Sequence, residues 1–285
     1  MTSLQNITKH FPQLSNIEEI KIGGQKCVYS AFHAEYRDIA LKIVLTDGDD
    51  DRILREIEII KNNSFPNVPA IYECGDVNFD GKTYIYIYEQ KITGTDLRDI
   101  IQSGYRFPFI EVLQLLNNLF ETVVKLEKQS IVHRDIKPDN ILRDEAGRFW
   151  LIDFGIARDL KKISLTATGA NFGPHTAGYA APEQFRNMKR QIDSRTDLFS
   201  IGVVAYELLY GVNPFVSGAH SFIDVLLKTE TLTEDPLSIP EDTDGELSGF
   251  IQTLMQKGHT WRPPSAAIAY SWFNEIMNKL GLEAN

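Results

Sequence analysis

The sequence predicts an α+β chain in two parts, strand-rich at the start and helical afterwards. Two patterns carry that reading. Up to about residue 90, short β-branched or aromatic runs are broken by glycine or charge. Beyond residue 95, apolar residues recur at helical spacing.

Taken in order, residues 20–22, 28–32 and 39–44 read as strands, and 82–89 alternates aromatic with Ile in a fourth. One helix interrupts them at 51–61, where Ile53, Ile57 and Ile60 stand at i, i+4 and i+7. The acidic run Asp47, Asp49, Asp50 and Asp51 suits a solvated helix start. Residues 109–128 carry apolar pairs at 112/113, 115/116, 119/120 and 123/124, one long amphipathic helix. Residues 197–210 are apolar nearly all round, which predicts a buried central helix. Gly211 then supplies a stop, and Pro214 follows. Two more helices are expected at 247–257 and 266–280.

At 285 residues and 43% hydrophobic, the chain can bury one large core or two medium ones. A net charge of −10 argues against a general nucleic-acid surface, which needs basic residues. It leaves room for a phosphate ligand in a local pocket of lysine and Mg²⁺. The two cysteines, Cys27 and Cys74, have neither metal nor redox spacing, so a reducing compartment is expected. The six histidines suggest no metal cluster. The first twenty residues lack an apolar signal region. The longest apolar run, 201–210, is interrupted by Glu207 and is too short to span a bilayer. The expectation is a cytoplasmic protein without membrane or nucleic-acid partners.

The most informative stretch is His133-Arg134-Asp135-Ile136-Lys137-Pro138-Asp139-Asn140, followed by Asp153-Phe154-Gly155. It places two acids, a lysine and an asparagine at the spacing that phosphoryl transfer needs. Asp135 can accept a substrate hydroxyl proton, and Lys137 can neutralise charge on the moving group. Asn140 and Asp153 are candidate ligands for Mg²⁺ against the phosphates of ATP. The plain alternative is a polar loop between two strands. The motif set resembles the protein kinase family, and Lys137 looks like its serine/threonine branch.

The resemblance covers roughly residues 17–277. It implies a bilobal protein kinase fold: a β-rich N-lobe at 17–90, a hinge at 91–95 and a mainly helical C-lobe at 96–280. An N-terminal extension (1–16) and a short tail (281–285) flank them. It implies that Lys42 holds the ATP phosphates. Glu56 shares the buried helix face with Ile53 and Ile60, and a carboxylate there needs a cation, so Lys42 is its natural partner. Glu58 competes but lies on a different side of the helix. The phosphate loop departs from the family pattern, because only Gly23 of the three expected glycines is present, with Gly24 beside it. Ile22, Gly23, Gly24 and Lys26 remain candidates to turn over the phosphates. Val28, Ala40 and Leu142 match the apolar positions that sandwich adenine.

The segment from Asp153 to Ala181-Pro182-Glu183 resembles the family's activation segment. Thr176 aligns with the threonine that bridges the catalytic Asp and Lys. Ser164, Thr166 and Thr168 are candidate phosphosites, with Arg134, Arg158 and Lys161 or Lys162 as the cations a phosphate would meet. Glu183 is expected to pair with Arg262, and Asp197 to brace the catalytic-loop backbone. The implied activity is ATP-dependent phosphorylation of protein Ser/Thr hydroxyls, as in a bacterial stand-alone kinase, with a regulatory partner protein as a further candidate. Two alternatives share the fold: a small-molecule kinase, disfavoured by Arg134, Lys137, Thr176 and Glu183, and a pseudokinase scaffold. The second would be expected to have lost Lys42, Asp135, Asn140 or Asp153, and none is lost.

Overall fold

A computed structural model describes residues 4–23, 26–45, 50–153, 177–186, 188–232 and 239–282. Gly24, Thr176, Ser164, Thr166 and Thr168 lie outside the described residues. The chain divides into two compact units, 1–93 and 94–285. The first is rich in strand and the second in helix, as the sequence pattern predicts.

The small unit holds one antiparallel five-stranded sheet, formed by β1 (Leu14–Ile22), β2 (Lys26–His33), β3 (Arg37–Leu45), β4 (Ile71–Phe79) and β5 (Lys82–Gln90). Their order is β1-β2-β3-β5-β4, so β3 and β5 are interior strands. On one face Tyr29, Ile39, Leu41, Ile43 and Tyr88 pack with Ile7, Phe11, Leu14 and Phe79. The other face carries Val28, Ser30, Ala40, Lys42, Ile87 and Glu89, by the same cross-strand register. Helix α2 (Asp50–Asn62) buries Ile53, Ile57 and Ile60 and packs along β4. The predicted helical spacing is thus realised.

The N-terminal segment does not stand apart as an extension. Helix α1 (Leu4–His10) buries Ile7 completely, Phe11 sits edge-on to Tyr86 at 5.4 Å, and Gln13 Nε2 donates to the Tyr88 hydroxyl at 2.6 Å. The reason is local. The outer sheet face is apolar and aromatic, and α1 supplies the apolar groups that cover it. The unit boundary falls between Thr93 and Gly94. Strand β4 escaped the sequence reading because it is an edge strand of mixed polarity, with little alternation to detect.

The large unit is helical: α3 (Leu97–Gln102), α4 (Phe109–Lys128), α5 (Pro182–Phe185), α6 (Ser194–Tyr210), α7 (Phe222–Thr231), α8 (Glu246–Leu254) and α9 (Ala266–Lys279). Helix α6 is buried along nearly its whole length and packs against α4, α8 and α9. Gly211 closes it at φ 85°, a left-handed conformation that costs glycine nothing. Rings of Phe120, Phe250 and Phe273 meet at 5.2–6.2 Å between α4, α8 and α9. A small antiparallel sheet, β6 (Gly94–Asp96), β7 (Ile141–Asp144) and β8 (Phe149–Leu151), flanks the loop that carries the motif. A Cβ at Gly94 would collide with the backbone of Arg143 on β7, so glycine is required for that pairing. Among the described residues, no helix is long and apolar enough to cross a membrane.

Because Ile7 is fully buried, Ile7→Ala should lower the unfolding free energy of the small unit by about 2–4 kcal/mol. Urea titration followed by aromatic fluorescence would measure it. An unchanged midpoint would mean that α1 docks without contributing stability.

Candidate active site

The motif loop runs from the end of α4 into β7, and side chains from three directions hold its shape. Asp197, at 0% exposure in the first turn of α6, accepts the backbone N–H of His133 on Oδ2 and that of Arg134 on Oδ1, both at 2.8 Å. From α5, the buried Gln184 donates to the carbonyl of Arg134 at 3.0 Å. Arg134 is thereby gripped at both ends of its peptide unit, and it adopts a left-handed φ of 67°. Such a conformation costs a non-glycine residue about 1–3 kcal/mol and persists only where the surroundings impose it. Arg98 of α3 is the third support. It lies 3.6 Å from the Asp139 carboxylate and 3.0 Å from Glu207 of α6, with the Tyr179 hydroxyl bonded to both Arg98 and Glu207.

The consequence is a preset carboxylate. Asp135 Oδ1 faces Lys137 Nζ at 3.1 Å, and Oδ2 accepts from Asn140 Nδ2 at 2.8 Å. The same Nδ2 also donates to the Asp135 carbonyl at 2.8 Å. The amide N–H groups of Asn140 are therefore committed to Asp135, and what the side chain can offer a cation is its oxygen. A backbone bond from Ile152 N to the Asn140 carbonyl, 2.9 Å, brings the strand end that bears Asp153 alongside. Asp153 itself has φ 60°, a second left-handed non-glycine residue in the same site. The donor set is thus one amide oxygen and one carboxylate, both hard ligands suited to Mg²⁺.

The end of the expected activation segment is anchored as predicted. Glu183 and Arg262, 79 residues apart, form a two-pronged buried pair at 2.7 and 3.0 Å. Arg262 also donates to the carbonyls of Gln256 and Arg195, and Thr196 Oγ1 donates to Glu183 at 2.8 Å. Every polar arm of this pair has a partner, the condition under which a buried ion pair is tolerated.

In the small unit, Val28 stands directly opposite Lys42, and Ala40 opposite Ser30 on β2 and Glu89 on β5. Val28, Ala40 and Lys42 are buried, while Ile22 is exposed at the end of β1. Gly23 N donates to Lys26 O at 2.8 Å, which closes the flanks of the candidate phosphate loop. Leu142 lies half-buried on β7, paired with Asp96 and Trp150. Lys42 forms an ion pair with Glu89, a residue the sequence reading did not consider. Glu56 is half-buried on α2, whereas Glu58 is turned away to Cys74 Sγ (3.3 Å) and Lys61 (3.6 Å). Glu89 and the Arg98–Tyr179–Glu207 network carried no sequence signal beyond a charge inside an apolar run, visible at Glu207 and at the end of the 82–89 strand.

Burial is the main influence on Asp197 and pushes its carboxyl up to about 7, against the downward pull of the Arg134 and His133 N–H groups and the Arg134 charge. The ordinary value, and hence that of the unfolded chain, is 3.8. Between these values the folded chain holds a proton that the unfolded chain lacks, so this contribution to stability is full below pH ~4 and is lost as pH rises through ~7. Asp197→Asn should remove that share of the slope in denaturation measured from pH 5 to 8. It should also cost about 1–3 kcal/mol, since one N–H loses its acceptor. A variant whose stability still falls with pH as steeply as wild type would show that Asp197 is not the titrating group.

Comparison with known proteins agrees with this geometry. A family model described as a protein kinase domain matches residues 14–273. The chain is 29% identical over 280 residues to the probable serine/threonine-protein kinase pknA2 of Bifidobacterium longum, covering 94% of this chain and 35% of that protein. It is 30% identical over 270 residues to the serine/threonine-protein kinase PknB of Mycobacterium leprae, covering 90% and 42%. PknB of Mycolicibacterium smegmatis is 29% identical over 278 residues, with 94% and 43% covered. The chain thus spans between about a third and two-fifths of the length of these relatives. On the match over 14–273 and the site it contains, the chain belongs to the protein kinase family.

Proposed function

We propose that this chain is a serine/threonine protein kinase that uses Mg²⁺ and ATP to phosphorylate Ser or Thr hydroxyls of protein substrates. The observation that carries the reading is the Asp135 carboxylate, set between Lys137 and Asn140 in a loop clamped by Asp197 and Gln184. The names of its bacterial relatives support the serine/threonine class.

Bound Mg²⁺·ATP would supply the electrophilic γ-phosphoryl group and neutralise charge on its oxygens. Asp135 would orient the substrate hydroxyl and take its proton. Lys137, already on the same carboxylate, would offset negative charge as the phosphoryl group moves. Asn140 would present its amide oxygen, and Asp153 its carboxylate, to Mg²⁺. Lys42 would hold phosphate oxygens, and Glu56 would be the helix carboxylate that pairs with it. Ile22, Gly23, Gly24 and Lys26 would turn over the phosphates, while Val28, Ala40 and Leu142 would contact adenine. Thr176 would bridge Asp135 and Lys137. A weakly catalytic scaffold is the second reading, and what favours it is that only Gly23 of the three glycines expected in the phosphate loop is present.

Incubation with labelled ATP and Mg²⁺, with mass-spectrometric mapping on the chain itself and on a lysate, tests the activity. Asp135→Ala should keep nucleotide binding and lose transfer by at least ~10²-fold, the scale of a lost acid–base group. Asp153→Ala should lose productive Mg²⁺·ATP binding. Near wild-type autophosphorylation by the Asp135→Ala protein would overturn the assignment.

Regulation is read from the sequence. A phosphate on Ser164, Thr166 or Thr168 would add roughly −1.5 to −2 charge and three acceptors for which Arg134, Arg158 and Lys161 or Lys162 are the candidate cations, enough to order a segment. Autophosphorylation is expected in this cluster, Thr168 first, and the triple Ala variant should lose activity. Full activity on a substrate with no phosphate between 164 and 168 would remove the switch.

A further inference from the structure

We infer that Glu89 is the positioning residue for Lys42, so that strand register sets where the phosphate-binding ammonium stands. The inference rests on the kinase reading for its reaction, and on four observations of the small unit for its content.

The first is register. Ala40 pairs with Glu89 and Lys42 with Ile87, which makes Glu89 the diagonal neighbour of Lys42 on one sheet face. Diagonal positions lie about 7–8 Å apart at the backbone, within reach of long side chains. The second is space. The residue directly opposite Glu89 is Ala40, whose single methyl lets the carboxylate lean toward Lys42. The third is burial. Lys42 is 6% and Glu89 9% exposed, and the two form an ion pair. On the same face Val28 stands opposite Lys42, and Ile87 follows on β5, so the pair sits among apolar groups where Coulomb attraction is strong and an unmatched charge is costly.

The fourth is rigidity. β3 and β5 are interior strands, each hydrogen-bonded on both sides. Neither can shift without breaking a ladder. Glu56, by contrast, rides on a helix that is free of such pairing. A lysine ammonium has three N–H donors, so the contact with Glu89 does not by itself exhaust its capacity for phosphate oxygens. Glu89 acts on the nucleotide only through Lys42.

The test is a mutant cycle on binding, independent of turnover. Titrate a fluorescent N-methylanthraniloyl-ADP with Mg²⁺ into wild type, Glu89→Gln, Lys42→Met and the double variant, with melting curves to establish folding. Glu89→Gln should weaken binding by about 10-fold, the mid-range of coupling between contacting residues. In the Lys42→Met background the same change should alter binding by less than about two-fold. Glu89→Asp, which keeps the charge on a shorter stem, should recover part of the loss, and Glu56→Gln should weaken binding less than Glu89→Gln. Wild-type or tighter binding by Glu89→Gln would overturn the inference. So would equal losses in both backgrounds, which would mark Glu89 as merely structural. If Lys42→Met does not fold, Glu89→Gln and Glu89→Asp decide it: equal binding by the two would overturn it. Wild type that binds nucleotide but transfers no phosphate would remove the kinase reading and leave the Glu89 cycle readable. Wild type that binds none would overturn both.

Discussion

Two backbone hydrogen bonds accepted by one carboxylate set the shape of the loop that carries the large unit's candidate site. Asp197 receives the N–H groups of His133 and Arg134, and this holds a backbone conformation that Arg134 would not otherwise adopt. With Gln184 on the adjacent carbonyl, the peptide ahead of Asp135 has no freedom left. The carboxylate of Asp135 then points where Lys137 and Asn140 can reach it. Preorganisation of this kind places the cost of ordering in folding, before any substrate arrives.

The supports for this loop are themselves buried and polar. Asp197 is wholly enclosed, Arg262 and Glu183 are nearly so, and Arg98 joins α3 to the loop through Asp139 and to α6 through Glu207. Buried ionic groups contribute little net stability compared with apolar residues of equal volume. What they supply here is geometry, because each has a unique satisfied arrangement. In the Glu183 and Arg262 pair, donors and acceptors match so closely that a rotation of either side chain would strand a buried charge. The small unit uses the same device at Lys42 and Glu89, on the sheet face opposite its aromatic cluster.

Much of this was legible in the chain. The spacing of Ile53, Ile57 and Ile60, the paired apolar residues of α4 and the all-round apolar α6 ending at Gly211 are local signals, and they became the helices they predicted. The expected partners Glu183 with Arg262 and Asp197 with the loop backbone followed from a family resemblance and met in space. Other elements left weak traces. α1 is seven residues long and held mainly by Ile7, α3 and α7 are short, and β4 is an edge strand without alternation. Short elements carry little periodicity, and their stability comes from what they pack against.

By itself, the sequence singled out the candidate site residues and the main helices and strands, because motif spacing and hydrophobic period are properties of neighbouring residues along the chain. Only the tertiary structure decided their partners. That Glu89 stands beside Lys42 depends on the register between β3 and β5. That α1 belongs to the small unit's core depends on an aromatic sheet face needing cover. That Arg98, Tyr179 and Glu207 converge depends on the docking of α3 and α6. Each choice is made by burial, which forces a charged or apolar group to find a neighbour that may be distant in sequence.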